Sequence, residues 1–268
     1  MLTYFGACHK TPPRLDSRPM IEVSGLTKLY GELIAVDDLS FEVAPGEVLG
    51  LVGPNGAGKT TTLRSLVGIV RPTRGTIRIA GHDLVAEPVA AKRQLAFMPD
   101  EPHLFEYLSV EEHLRFTARL YQVPDVDRRI PTLLSELELV DKARALPGEL
   151  SRGMRQKLVI ACGLLHDPTV LLFDEPLTGL DPAGIRRMKQ TIVERARSGA
   201  AVLLSSHLLH LVEEICTRVL ILQQGRMVAI GTIAQILVGR PELAGKSLED
   251  IFLALTGAGG SGDGGKGE

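Results

Sequence analysis

The sequence predicts an α/β fold: parallel strands alternating with helices, with a small antiparallel β layer and an inserted helical region. Three observations predict it. An apolar run, EVLGLV (Glu47 to Val52), leads into a glycine-rich loop and then a helix. Two later apolar runs, TVLLF (Thr169 to Phe173) and AAVLL (Ala200 to Leu204), alternate with helical segments as parallel βα units do. Between the first run and these two, the hydrophobic residues change to helical spacing.

Taken in order, residues 1–18 carry no apolar h-region and end in prolines and charges, so they read as an extension and not a secretory signal. From Met20 to Val43, the alternating segments MIEV and LSFEV are separated by Gly31-Glu32 and closed by Pro45-Gly46, which predicts antiparallel strands. After the first apolar strand, Lys59 to Val70 predicts a helix with Leu63, Leu66, Val67 and Val70 on one face. GTIRIAG, Gly75 to Gly81, predicts a further strand. Pro102 to Gly148 reads as helical. Ser109 with Glu112 makes a capping box, followed by a stripe of Val110, Leu114, Thr117, Ala118 and Tyr121. Ile130, Leu133, Leu134 and Leu137 make a second stripe, and both stripes are expected to pack on a core. LSRGMRQKL, from Leu150, opens another helix with Ser151 as its N-cap. VLILQQGRMVAIG predicts a hairpin turning at Gln224-Gly225. Residues 257–268 are a flexible Gly-rich tail by composition.

The loop VGPNGAGKTT, Val52 to Thr61, has the spacing of a phosphate-binding loop. A strand, a glycine loop and a helix N-terminus bring backbone N–H groups onto phosphate oxygens. Lys59 is placed to neutralise the β/γ-phosphates and the Thr60 hydroxyl to ligate Mg²⁺. The TVLLF strand ends in Asp174-Glu175. Beside a phosphate loop, the first carboxylate would hold Mg²⁺ and the second polarise an attacking water. The AAVLL strand ends in Ser205-Ser206-His207.

Composition narrows the function classes. Hydrophobic content of 44% with 23% charged residues suits an ordinary globular domain of 268 residues. A net charge of −2 offers no electrostatic case for nucleic acid or an anionic membrane surface. Cys8, Cys162 and Cys216 are odd in number and widely spaced, which fits a reduced cytosolic compartment. No run of about 18 apolar residues occurs, so no bilayer insertion is expected.

VGPNGAGKTT, FMPDEP, LSRGMRQKL, LLFDEPLTGLDP and SSH stand in the order and spacing of an ABC-transporter nucleotide-binding domain. The chain resembles that family from about Met20 to Gly231. The resemblance implies a P-loop NTPase core of RecA-like type, with an antiparallel β subdomain and an inserted α-helical subdomain at about 102–165, together filling residues 19–256. It implies ATP and Mg²⁺ as ligands. Gly53, Pro54, Asn55, Gly56, Ala57, Gly58, Lys59, Thr60 and Thr61 match the phosphate loop. Tyr30 matches the aromatic residue that stacks on adenine. Asp174 matches the Mg²⁺-associated aspartate, Glu175 the catalytic glutamate and His207 the switch histidine. Ser151 and Gly153 match the signature residues that close over the ATP of a partner cassette, and Asp181 the loop that crosses between the two cassettes.

The sequence departs from the family pattern twice. The signature reads LSRGM where LSGGQ is usual, with Arg152 and Met154 in place of a glycine and a glutamine. Asp100 occupies the position usually held by a glutamine, in the loop that links catalysis to the membrane partner. A carboxylate only accepts hydrogen bonds, so Asp100 is expected at the Mg²⁺ shell and not donating to phosphate.

The resemblance further implies a head-to-tail dimer of two cassettes, here a homodimer, docked on a separate transmembrane permease at the cytoplasmic face. SLEDIFLALTG, from Ser247, and the LSRGMRQ signature resemble cassettes of ABC-2 type exporters, including multidrug and antibiotic-resistance systems. The alternative is a soluble ABC ATPase acting on ribosomes or DNA, but such proteins usually carry tandem cassettes, and one phosphate loop is present. A GTP-dependent switch is disfavoured because its guanine-reading motif needs a further asparagine, and Asn55 is the only one in the chain.

Overall fold

A computed structural model describes residues 18–257, apart from 239 and 244. The expected N-terminal extension, Cys8 and the Gly-rich tail beyond Gly257 lie outside the described residues. The chain runs β1 (Ile21–Tyr30), β2 (Leu33–Val43), β3 (Val48–Val52), α1 (Lys59–Leu66), β4 (Arg74–Ile79) and β5 (His82–Asp83). Then come α2 (Pro88–Gln94), β6 (Leu95–Met98), α3 (Val110–Tyr121), α4 (Val126–Glu136), α5 (Arg152–Leu164), β7 (Val170–Asp174) and α6 (Pro182–Arg197). β8 (Ala201–Ser205), α7 (Leu209–Ile215), β9 (Arg218–Gln223), β10 (Arg226–Gly231), α8 (Ile233–Ile236) and α9 (Leu248–Thr256) complete it.

The six-stranded sheet has the order β10-β9-β3-β8-β7-β6, parallel except for the antiparallel edge strand β10. β3, β7 and β8 are buried along their whole length, because both faces of the sheet are covered. Alternation assigns the two faces. Val48, Val52, Leu171, Phe173, Val202 and Leu204 point to one core, shared with α3 to α7. Leu49, Leu51, Val170, Leu172 and Leu203 point to the other, shared with α1, α2 and the antiparallel layer. That layer is a four-stranded sheet of order β2-β1-β4-β5. Its first hairpin turns at Gly31-Glu32, as the sequence predicts, with Tyr30 opposite Leu33.

The β9–β10 hairpin turns at Gln224 (φ 48°) and Gly225 (φ 78°), two left-handed residues as a tight hairpin requires. The helical middle is narrower than its periodicity predicts. Only α3 and α4 are α-helical there, followed by short 3₁₀ turns at Val140–Lys142 and Pro147–Glu149. Residues 102–108 form no helix; the Ser109–Glu112 capping box fixes the start of α3. Val110, Leu114 and Ala118 are buried while Thr117 and Tyr121 are half-buried, and the second stripe is buried throughout. The helix after β3 ends at Leu66, four residues earlier than predicted, because the chain turns at Gly68 (φ 72°). Cys162 and Cys216 pack against the core, and burial pushes their thiols up to about 11 and about 12. No helix among the described residues is long and apolar enough to cross a membrane.

Candidate functional site

The centre of the sheet positions the phosphate loop. β3 lies between β8 and β9, and the chain leaves it at Val52 into the glycine loop. A Cβ on Gly53 would lie 2.6 Å from the Leu222 carbonyl oxygen, so the loop packs against β9 only because that side chain is absent. Gly58 is left-handed (φ 102°), and its Cβ would meet the Ala35 carbonyl oxygen at 2.5 Å. It caps α1 without a side-chain acceptor, leaving the first turn of that helix open to an anion. The β9–β10 hairpin braces the loop: Gly225 N–H donates to the Ala57 carbonyl at 3.1 Å, and Asp37 N–H donates to the Gly225 carbonyl at 2.8 Å.

The Lys59 ammonium folds back over the loop, donating to the carbonyls of Gly53 (2.6 Å) and Pro54 (3.2 Å). Burial pushes its pKa below the ordinary lysine value, against the opposing pull of Glu175 and Asp174. Asp174, buried at the end of β7, accepts from the Ser205 hydroxyl at 2.6 Å; the two stand opposite each other on neighbouring strands. The same Ser205 oxygen accepts from Glu175 N–H at 3.1 Å. Glu175 is left-handed (φ 50°), a strained setting for a residue with a side chain. Its Oε2 accepts from His207 N–H (3.3 Å) and lies 2.8 Å from His207 Nδ1. With Nδ1 as the donor, Nε2 of His207 is left for a further partner.

A cleft of about 530 Å³ gathers Tyr30, Asn55 to Thr61, Asp100, Glu175, Thr178 and His207. The Thr178 hydroxyl is buried with no hydrogen-bond partner among the described residues. Tyr30 is half-exposed, with Lys28 Nζ 4.9 Å from its ring centroid. A second groove of about 750 Å³ shares Thr60 and Asp100 with the cleft and also reaches Asp174. These groups suit Mg·ATP: an open helix N-terminus and a buried ammonium for phosphate, and a hydroxyl and a carboxylate as hard oxygen donors for the cation.

The signature residues lie elsewhere. Neither Ser151, Gly153 nor Asp181 lines the cleft. Ser151 caps α5 as predicted, its hydroxyl accepting from Met154 N–H at 3.2 Å, and Asp181 caps α6 by accepting from Gly184 N–H at 2.8 Å. Gly153 faces the loop after β7, where an added Cβ would lie 3.7 Å from Leu180. The Asp100 carboxylate accepts from the Arg152 guanidinium at 3.2 Å. Sequence reasoning missed Ser205 and Thr178. Only the strand register, which puts Ser205 beside Asp174, marks the first.

A glycine loop, an open helix N-terminus, a buried lysine and two consecutive carboxylates at the end of one central strand define a P-loop nucleoside triphosphatase. The family described as "ABC transporter" matches residues 36–178. The chain is 34% identical over 241 residues to the ABC-type transporter ATP-binding protein EcsA of Bacillus subtilis, covering 88% of this chain and 96% of that protein. It is 42% identical over 217 residues to the Nod factor export ATP-binding protein I of Paraburkholderia xenovorans, covering 79% of this chain and 70% of that one. A solved structure described as the ATP binding subunit of an ABC transporter superposes with a TM-score of 0.84 at 38% identity, covering 88% of this chain and 99% of its own. The chain belongs to the ABC transporter ATP-binding family, a family of ATPases.

Proposed function

We propose that the protein powers export of the ABC-2 type from the cytoplasmic face of the membrane, as one cassette of a head-to-tail homodimer docked on a separate permease. The division of the site carries this reading. Lys59, Glu175 and His207 share one cleft, while Ser151, Gly153 and Asp181 lie outside it, so a second copy is needed to present the signature residues to the bound ATP. A groove beside Asp100 exposes Ile69, Phe105 and Phe116, a suitable seat for an apolar permease segment. Export is supported by the Nod factor export relatives and by the capped C-terminal helix α9.

In this mechanism the N–H groups at the start of α1 and the Lys59 ammonium hold the β- and γ-phosphates, and Tyr30 stacks on the base. Thr60 and Asp174 would hold Mg²⁺, which when bound shields phosphate charge. Ser205 fixes the Asp174 carboxylate. Glu175, oriented by both hydrogen-bond contacts to His207, accepts the proton of the attacking water, and His207 with both ring nitrogens protonated donates Nδ1–H to Glu175 and Nε2–H to the γ-phosphate.

The test uses Glu175→Gln. That variant is expected to lose turnover by at least about 100-fold and to sediment as an ATP-bound dimer with Mg·ATP. Tagged and loaded with Mg·ATP, it should recover a polytopic membrane protein from detergent-solubilised source membranes. Near-normal hydrolysis would remove Glu175 from the mechanism, and recovery of ribosomes or nucleic acid with no membrane protein would overturn the export reading.

A further inference from the structure

The two departures from the family pattern touch each other. Asp100 follows β6 and Arg152 is the first residue of α5, yet the carboxylate and guanidinium pair at 3.2 Å. The contact has two supports. Buried Gln156, one turn further along α5, donates to the Pro99 carbonyl at 3.3 Å, tying the same helix to the same loop. The Arg152 side chain also lies across Gly179, where an added Cβ would stand 3.1 Å from Nε. Arg152, itself on the signature helix, therefore meets two other segments at once: the Asp100 loop and the loop that runs from Glu175 to Asp181.

We propose that Asp100 and Arg152 form one positioning latch: their ion pair holds α5 against the loop after β6 in the nucleotide-free cassette, and bound Mg·ATP releases it by drawing the Asp100 carboxylate toward the cation. The inference rests on the reading of the cleft as an ATP site. Asp100 lines the cleft with Lys59 and Thr60, and the groove with Thr60 and Asp174, so its carboxylate borders the space read as the Mg·ATP site while it pairs with Arg152. An arginine in place of the usual glycine supplies the charge that an aspartate in place of the usual glutamine requires. Both side chains are roughly half-exposed, and an ion pair in that setting is weak enough for a ligand to break.

Amide hydrogen exchange of the full chain tests this without relying on turnover. Peptides covering residues 99–105 and 150–160 are followed in the wild type, Asp100→Asn, Arg152→Gln, the double variant and Arg152→Lys. Without nucleotide, each neutralising substitution should speed exchange in both peptides by up to about fivefold. The double variant should match the singles, and Arg152→Lys should stay close to wild type. At chain concentrations where sedimentation shows a monomer, so that no partner covers residues 150–160, Mg·ATP should speed exchange of the Arg152 side of the contact in the wild type and add nothing in the variants. Multiplying effects in the double variant, or wild-type exchange unmoved by bound Mg·ATP, would overturn the latch. Equilibrium dialysis of Mg·ATP separates the two readings: no binding to the wild type sinks the ATP site itself, whereas binding without the exchange pattern sinks only the latch.

Discussion

The starts of α1 and α5 make an instructive pair. Each helix begins at a glycine-containing turn, and each is expected to meet the phosphates of ATP. α1 begins at a left-handed glycine with no side-chain cap, so its first N–H groups wait for an outside acceptor. α5 begins at Ser151 in extended conformation, whose own hydroxyl satisfies the N–H of Met154. The first arrangement gives up stability to create a site. The second is satisfied in the free chain and can only present its surface to a ligand held elsewhere. A buried ammonium marks the first and an ion-paired, half-exposed arginine the second.

Removing the ammonium should break this contrast most strongly. Lys59→Met is expected to weaken Mg·ATP binding on the order of 10- to 100-fold, the value of charge-assisted hydrogen bonds to phosphate. Isothermal titration of the full chain measures it, and unchanged affinity would remove Lys59 from the phosphate site.

Ser151→Ala should act in the opposite sense. Loss of the cap costs about 1 kcal/mol of stability in urea unfolding. The affinity of the monomeric chain for ATP should stay the same, because Ser151 lies outside the cleft. Lowered monomer affinity would contradict the division of the site.

The smallest effect is one of pH. Burial holds the Lys59 pKa below its ordinary 10.5, so in the window between the two values the unfolded chain binds more protons than the folded one. Stability of the nucleotide-free wild type relative to Lys59→Met should therefore rise as pH climbs through that window toward 10.5. A flat difference in denaturation midpoints would show that the ammonium is not desolvated.

The sequence was most legible where one short segment carries both the fold and the chemistry. VGPNGAGKTT places the loop, and TVLLFDE places both carboxylates, because a buried strand followed by charge is readable without knowing its neighbours. LAFM (β6) and α2 escaped for the converse reason. A four-residue strand has no measurable period, and β6 becomes a strand only by pairing with β7. The helical reading of 102–148 ran too far because amphipathic stripes show where helices exist better than where they stop. Ser205 and the Asp100–Arg152 contact were illegible for a deeper reason. The first depends on the register of two parallel strands, and the second joins residues 52 positions apart.

The bracing of the phosphate loop also bears on how the protein is made. β3 emerges early in synthesis, but its two neighbours, β8 and β9, and the Gly225 hairpin that holds Ala57 are translated much later. Contacts of such long separation cannot form on a short nascent chain. A ribosome that has just extruded the glycine loop has therefore made the Tyr30 side of the cleft but not its Asp100, Glu175 and His207 side. The braced form of the phosphate loop exists only after the last strands of the sheet have left the exit tunnel.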